Sequence, residues 1–397
     1  MRRFLLTLAV GPVLTAALPN AVSAADPPPA VASSLATLKA VGPEGAGNDA
    51  AATAWKALVK SGNPALLPTL TAFDGATPTA ANWLRSAVSA IAENADNGGQ
   101  VLDKAALAAF TADTKQNPAA RRVAYELLAK ADKAAAEKLL PTFLNDPQPD
   151  LRRDAVAARL KAAEPLSGDK AVAEFRELLG AARDEDQVTA ITKKLADLKA
   201  PVNLTKHYGY ITEWVVSPAF DNKDGVGFNK AYEPETTADR KGWKYAQSND
   251  PGGVVDLNKA VEEKKNLVAY ASATVVADAD TTLDVRAASA NAVKMFVNGK
   301  EVYFREEYHS GAYLDQHTAT VKLNKGRNEI LLKVCQNDNP AEWAKPWGFA
   351  ARLSDSTGKA VRLKQVIVKD GKEATVEAGE LAPPDPKKPD ADKKGGQ

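Results

Sequence analysis

The chain has 397 residues, 45% hydrophobic and 25% charged, an ordinary globular composition with enough length for two separate cores. Lys and Arg number 51 against 50 Asp and Glu, giving a net charge of +1; the signs are interspersed, which excludes the basic footprint of a nucleic-acid binder. With one cysteine there is no internal disulfide, so each core must rest on packing alone.

In chain order, Arg2 and Arg3 precede an apolar run from Phe4 to Leu18, which leads into Ala21-Val22-Ser23-Ala24-Ala25. A basic start, a short apolar stretch and small residues predict a secretory signal peptide over 1–25, cleaved near Ala24 or Ala25. Gly11 and Pro12 interrupt the run, and no later stretch reaches the roughly 20 apolar residues a membrane span requires. The expected mature protein is exported, periplasmic or extracellular, with no membrane span.

Residues 30–200 are rich in Ala and Leu and punctuated by Asn-Pro, Asp-Pro and Gly, the texture of a string of helices. Three stripes show the helical period: Leu84, Ala87, Val88 and Ile91; Val123, Leu127 and Leu128; Val188, Ile191, Leu195 and Leu198. A repeat emerges when Leu-Leu-Pro-Thr-Leu (Leu66–Leu70) is laid against Leu-Leu-Pro-Thr-Phe (Leu139–Phe143). The second copy continues through Asp146 and Pro147 into Asp150, Leu151, Arg152 and Arg153, and Asn117 and Pro118 with Arg121 and Arg122 echo it. This pattern resembles a HEAT repeat, in which a turn Asp and an Arg of the second helix recur. The resemblance implies helix pairs stacked into a short solenoid with a protein-binding face. Trp55 and Trp83 fall within helices and read as packing residues.

After Pro201 the texture changes to aromatic and β-branched runs separated by Gly, Asn and Asp, which predicts strands and hairpins over 205–378. Met295 to Tyr303 with Asn298-Gly299 at its centre predicts a two-residue hairpin. Further strands are expected at 211–216, 267–276, 281–288, 318–323, 328–335 and 347–354, enough for an antiparallel sandwich. Residues 381–397, rich in Pro, Lys, Asp and Gly, predict a disordered tail. The fold class is therefore multidomain, α then β.

The order of Trp214, Ser217–Asn222, Tyr232–Glu235, Trp243, Val254–Leu257, Val268–Ala271, Phe296–Lys300, Lys325–Asn328, Leu331–Val334 and Trp343–Phe349 resembles the galactose-binding-like jelly roll of exported bacterial multidomain proteins. That resemblance implies a sandwich, with carbohydrate binding as its associated role. Where many relatives carry acidic residues before the Asn-Gly hairpin, this chain reads Ala288-Ser289-Ala290-Asn291-Ala292, which weakens any calcium or polar-ligand role carried over to that place.

Sugar sites pair apolar ring faces with fixed hydrogen-bonding groups. Arg305, Tyr308, Tyr313, Asp315 and Trp343 come closest to such a set. His309, Asp315 and His317 lack a recognised zinc-ligand spacing, although Asp315 and His317 would share a strand face at alternate positions. Asp221-Asn222-Lys223-Asp224-Gly225 lacks the ligand order of a calcium loop and reads as a polar turn. Cys335, in an apolar strand, is expected to be buried and inert. No phosphate loop, nucleophile elbow or haem-attachment motif occurs.

The expectation is a non-catalytic recognition or scaffold protein with no metal or cofactor, whose partners are envelope or extracellular proteins and a glycan. The competing readings are a hydrolase or lyase acting on cell-surface polysaccharide, and an envelope factor that binds protein alone.

Overall fold

The computed structural model describes residues 26–369 and 372–379; the expected signal peptide and the expected tail lie outside them. The chain is helical first and then forms two antiparallel β-sheets. It groups into two compact units that divide between Lys161 and Ala162.

The first unit holds α1 (Pro29–Lys39), α2 (Asn48–Ser61), α3 (Leu66–Thr71), α4 (Pro78–Asn97), α5 (Lys104–Ala112), α6 (Pro118–Ala131), α7 (Lys133–Leu139) and most of α8 (Pro149–Ala163). The starts are chemically marked. Pro occupies the first turn of α1, α4 and α6, where its missing N–H costs nothing. Side chains of Thr77, Asp103, Asn117 and Asp132 accept backbone N–H groups at the starts of α4, α5, α6 and α7.

Leu84, Ala87, Val88 and Ile91 are fully buried, as their spacing predicts; Val123 and Leu128 are buried, and Leu127 packs half-buried against the same core. Trp55 and Trp83 also pack against it. At its centre lies an ion pair. Arg121, fully buried, donates from both terminal nitrogens to Asp146 at 2.8 and 2.6 Å, and from Nε to the Thr111 carbonyl at 2.8 Å. Arg152 donates to the Asp146 carbonyl at 2.7 Å, and Gln148 N–H to the Asp146 carboxylate at 2.8 Å. All three guanidinium nitrogens of Arg121 and both carboxylate oxygens of Asp146 are hydrogen-bonded, which is the condition for burying charge at tolerable cost.

The second unit starts with α9 (Gly168–Ala181) and α10 (Glu185–Asp197), packed on each other, followed by the short α11 (Leu204–Tyr208). The change of secondary structure near residue 200 is thus not the division between compact units. The two long helices before Pro201 group with the strands.

Thirteen strands are described: β1 (Glu213–Val216), β2 (Phe220–Asp221), β3 (Lys244–Gln247), β4 (Val255–Asp256), β5 (Leu267–Ala277), β6 (Thr281–Ala288), β7 (Ala292–Val297), β8 (Lys300–Arg305), β9 (His317–Leu323), β10 (Gly326–Cys335), β11 (Gly348–Ser354), β12 (Lys364–Lys369) and β13 (Lys372–Glu377). The larger sheet runs β13-β12-β5-β10-β7-β8, with β1 and β2 also on β5 and β3 on β1; the smaller runs β4-β11-β6-β9. Between them lies the core, built from alternate residues: Ala269, Ala271, Ala273 and Val275 of β5, Ile330, Leu332 and Val334 of β10, Ala319, Val321 and Leu323 of β9. Trp214 and Trp347 close it, each donating its indole N–H to a backbone carbonyl, of Ile211 and Val334 respectively.

The outward residues of β5 and β10 are not all solvated. Val268, Tyr270, Leu331 and Cys335 form a second cluster with Phe228, under the segment Phe220–Trp243. Lys333, fully buried on that face, donates to the carbonyls of Phe228 and Lys230 and to Glu235 at 2.8 Å, fastening the segment to the sheet. Cys335 is buried, as expected, and burial pushes its thiol up to about 12.

Candidate functional site

The loop from Glu306 to Gln316 joins β8 to β9, and a few hydrogen bonds fix its shape. His309 N–H donates to the Ala290 carbonyl at 2.6 Å. The Gln316 amide oxygen accepts from Ser289 N–H and Tyr313 N–H, while its amide nitrogen donates to Ser310 Oγ and the Gly311 carbonyl. Gly311 has φ +78°, a backbone conformation that favours glycine, and the Tyr313 ring lies over it. The loop therefore presents Tyr313 on a braced support.

The Ser289–Asn291 turn is knitted to β11. Ser289 Oγ donates to the Gly348 carbonyl at 2.9 Å, and Asn291 bridges the Pro346 carbonyl and Gly348 N–H. In place of acidic side chains, this turn carries groups that hold the strands together.

The five sequence candidates separate into distinct settings. Asp315 has φ +59° and stands before β9, so the strand alternation that would pair it with His317 does not reach it. Its carboxylate accepts from Arg352 Nε at 2.7 Å and Arg286 at 2.9 Å, which makes it the counter-charge of two arginines. Tyr308 packs against the outer-face cluster and its hydroxyl accepts from Asn222 at 3.2 Å; burial first raises its pKa to about 12. Arg305 pairs with Glu307 at 2.9 Å on the surface. His317 meets the Tyr303 hydroxyl at 3.1 Å.

Tyr313 and Trp343 remain open to solvent, 64% and 66% exposed. His309 sits edge-on to the Trp343 ring with centroids 5.1 Å apart, and its Nε2 lies 2.8 Å from Asn337 Oδ1. Tyr313 lines a cleft of about 630 Å³ at the end of the sandwich, together with Leu314, Asn258, Asp256, Glu342 and Lys345, with Trp347 and Phe349 beneath; Trp343 stands on the same turn as Glu342 and Lys345 without lining it. Glu342 and Lys345 belong to the same turn as Trp343 and pair at 2.8 Å. Asn258 donates to the Lys345 carbonyl at 3.0 Å, and Lys265 to that of Ala344 at 2.7 Å.

An aromatic face beside carboxylate, ammonium and amide groups is the chemistry for a hydroxylated ring. Asn258, Glu342 and Lys345 were not among the sequence candidates. Nothing in their local pattern marks them, because 84 residues or more of chain separate Asn258 from the Trp343 turn it supports. Among the described residues no group of three or more His, Cys, Asp or Glu is placed to hold a metal ion, and no helix is long and apolar enough to cross a membrane.

No family model and no curated protein matches the chain. Solved structures give slight likenesses. An anti-sigma factor domain-containing protein from Clostridium clariflavum aligns with 45% of this chain and 49% of its own at 12% identity and a TM-score of 0.21. A beta-glucosidase from Kluyveromyces marxianus in complex with glucose aligns over 61% and 33%, at 9% identity and 0.27. The PA14 domain of the MpAFP antifreeze protein aligns over 44% and 92%, at 10% identity and 0.22. The chain thus spans about half of the first of these proteins and a third of the second.

Proposed function

We propose that this chain is an exported, non-catalytic recognition protein whose sandwich end takes a saccharide and whose helical half offers a face to envelope or extracellular proteins. The observation that carries the proposal is the sandwich-end cleft, with Tyr313 exposed on a braced loop and Asn258, Glu342 and Lys345 within the same cavity. The jelly-roll reading of the two sheets is in keeping with it. For the helices, the buried Arg121–Asp146 pair supports the HEAT-like reading, since it joins the two residue types whose recurrence suggested the repeat. Export rests on Arg2, Arg3 and the apolar run that follows.

One stacked ring contributes about 1 kcal/mol, so affinity for a single sugar should fall in the millimolar to micromolar range and depend on multiple contacts. A glycan array followed by calorimetric titration tests this. The expected result is binding that weakens roughly fivefold in Tyr313→Ala, and measurably in Trp343→Ala, with circular dichroism unchanged. Equal binding by both variants would put the site elsewhere, and no glycan bound at all would favour the reading as a purely protein-binding factor.

A further inference from the structure

A second cavity, about 440 Å³, is bounded by the end of α9, by α11 and by the turn that follows β11. Its wall includes Arg176 from α9, Lys206 and His207 from α11, Arg352 from β11, and Lys359 and Arg362 from the turn and its exit; among the described residues no Asp or Glu lines it. In a chain whose charges balance to +1, such a wall is a local concentration made by the fold, since its members are scattered over nearly 190 residues of sequence.

The floor is rigid. Arg352, neutralised by Asp315, also donates to the carbonyls of Tyr208 at 3.3 Å and Gly358 at 3.2 Å, tying α11 to the turn. Gly209 has φ +67°, and a Cβ there would lie 3.1 Å from Ala360 Cβ and Arg362 Cγ; this close approach sets the Arg362 stem against the end of α11. Arg176, Lys359 and Arg362 take part in none of the ion pairs formed among the described residues. Burial first, then Arg183 and Arg352, hold the His207 imidazole down to about 4.

We propose that this cavity binds a tetrahedral oxyanion, a phosphate or a sulfate. Arg176 reaches it from α9, and Lys359 and Arg362 from the turn that follows β11; cations converging from opposite walls suit an anion with oxygens pointing in several directions, whereas a planar carboxylate would be satisfied by a single arginine fork. Its volume admits the anion together with the small molecule or sugar that bears it.

Calorimetric titration of the whole protein in a buffer free of multivalent anions tests the assignment. The probes are inorganic phosphate, inorganic sulfate, glucose 1-phosphate and glucuronate. The variants are the double substitution Arg176→Gln with Arg362→Gln, both at exposed positions, and Lys322→Gln, a surface lysine of β9, as control. The expected result is one phosphate or sulfate per chain, weakened about tenfold or more in the double variant and unchanged in the control. Tighter binding of glucose 1-phosphate than of the free ion would identify an ester as the natural form, and equal binding the ion itself. No binding of either tetrahedral anion, equal binding by the double variant, or glucuronate held as tightly as phosphate would overturn the proposal.

Discussion

The burial of charge at single residues decides much of what this protein can do. Arg121 and Asp146 are sealed in the helical core, so removing one partner leaves the other charged and desolvated. Asp146→Ala is expected to cost about 3–5 kcal/mol in urea unfolding, and a cost below about 1 kcal/mol would show that solvent reaches the site. Asp315 illustrates the same principle in the sandwich: a carboxylate that looked available in sequence is the counter-charge of Arg352 and Arg286. The one hint of this in sequence was Arg352, a lone charge inside the apolar strand Gly348–Ser354. His207 gives a pH test. Its folded pKa of about 4 lies below the ordinary 6.5, so below 6.5 the unfolded chain binds a proton that the folded chain refuses. Stability should therefore fall as pH drops from 6.5 towards 4. His207→Gln should flatten that part of the profile in phosphate-free buffer; an unchanged slope would mean that the imidazole is protonated in the fold.

At the scale of elements, the Asn298-Gly299 hairpin between β7 and β8 is where local chemistry speaks most directly. Both residues have positive φ, +50° and +76°, the condition of a two-residue turn of this hand. Gly299→Ala should cost about 1–2 kcal/mol, read as a shift in denaturant midpoint without a change in slope; no shift would mean the turn relaxes freely. Long strands with clear periodicity were legible: β9 reads buried and exposed in strict alternation from His317 to Leu323, and β5, β6, β10 and β11 fall within a few residues of their expected bounds. Strands β2 and β4, of two residues each, carry no period at all. The polar run of β3, Lys-Tyr-Ala-Gln, gains its place only by pairing with β1. The loop aromatics Tyr313 and Trp343 were legible because large rings amid polar residues stand out, whereas the packing of Tyr308 depends on Asn222, 86 residues away.

At the scale of the whole molecule, secondary structure and compactness divide the chain differently: helices give way to strands near residue 200, but the compact units part between Lys161 and Ala162. A chain of residues 162–379 is accordingly expected to unfold in one cooperative transition, and a chain starting at 201 to be markedly less stable, since it lacks Arg183 beside Gly358 and the rest of the α9–α10 pair; equal midpoints for the two would contradict that division. The proposed function makes its own demand at this scale. Recognition without catalysis requires that a bound saccharide leave unchanged. The most direct measurement is to incubate the purified protein with a broad polysaccharide panel and follow binding and product release together. Saturable binding, weakened by Tyr313→Ala, is expected, with no new reducing ends or unsaturated products. Product formation that survives purification and is abolished by one acidic substitution, Glu342→Gln or Asp256→Asn at the sandwich-end cleft included, would contradict that.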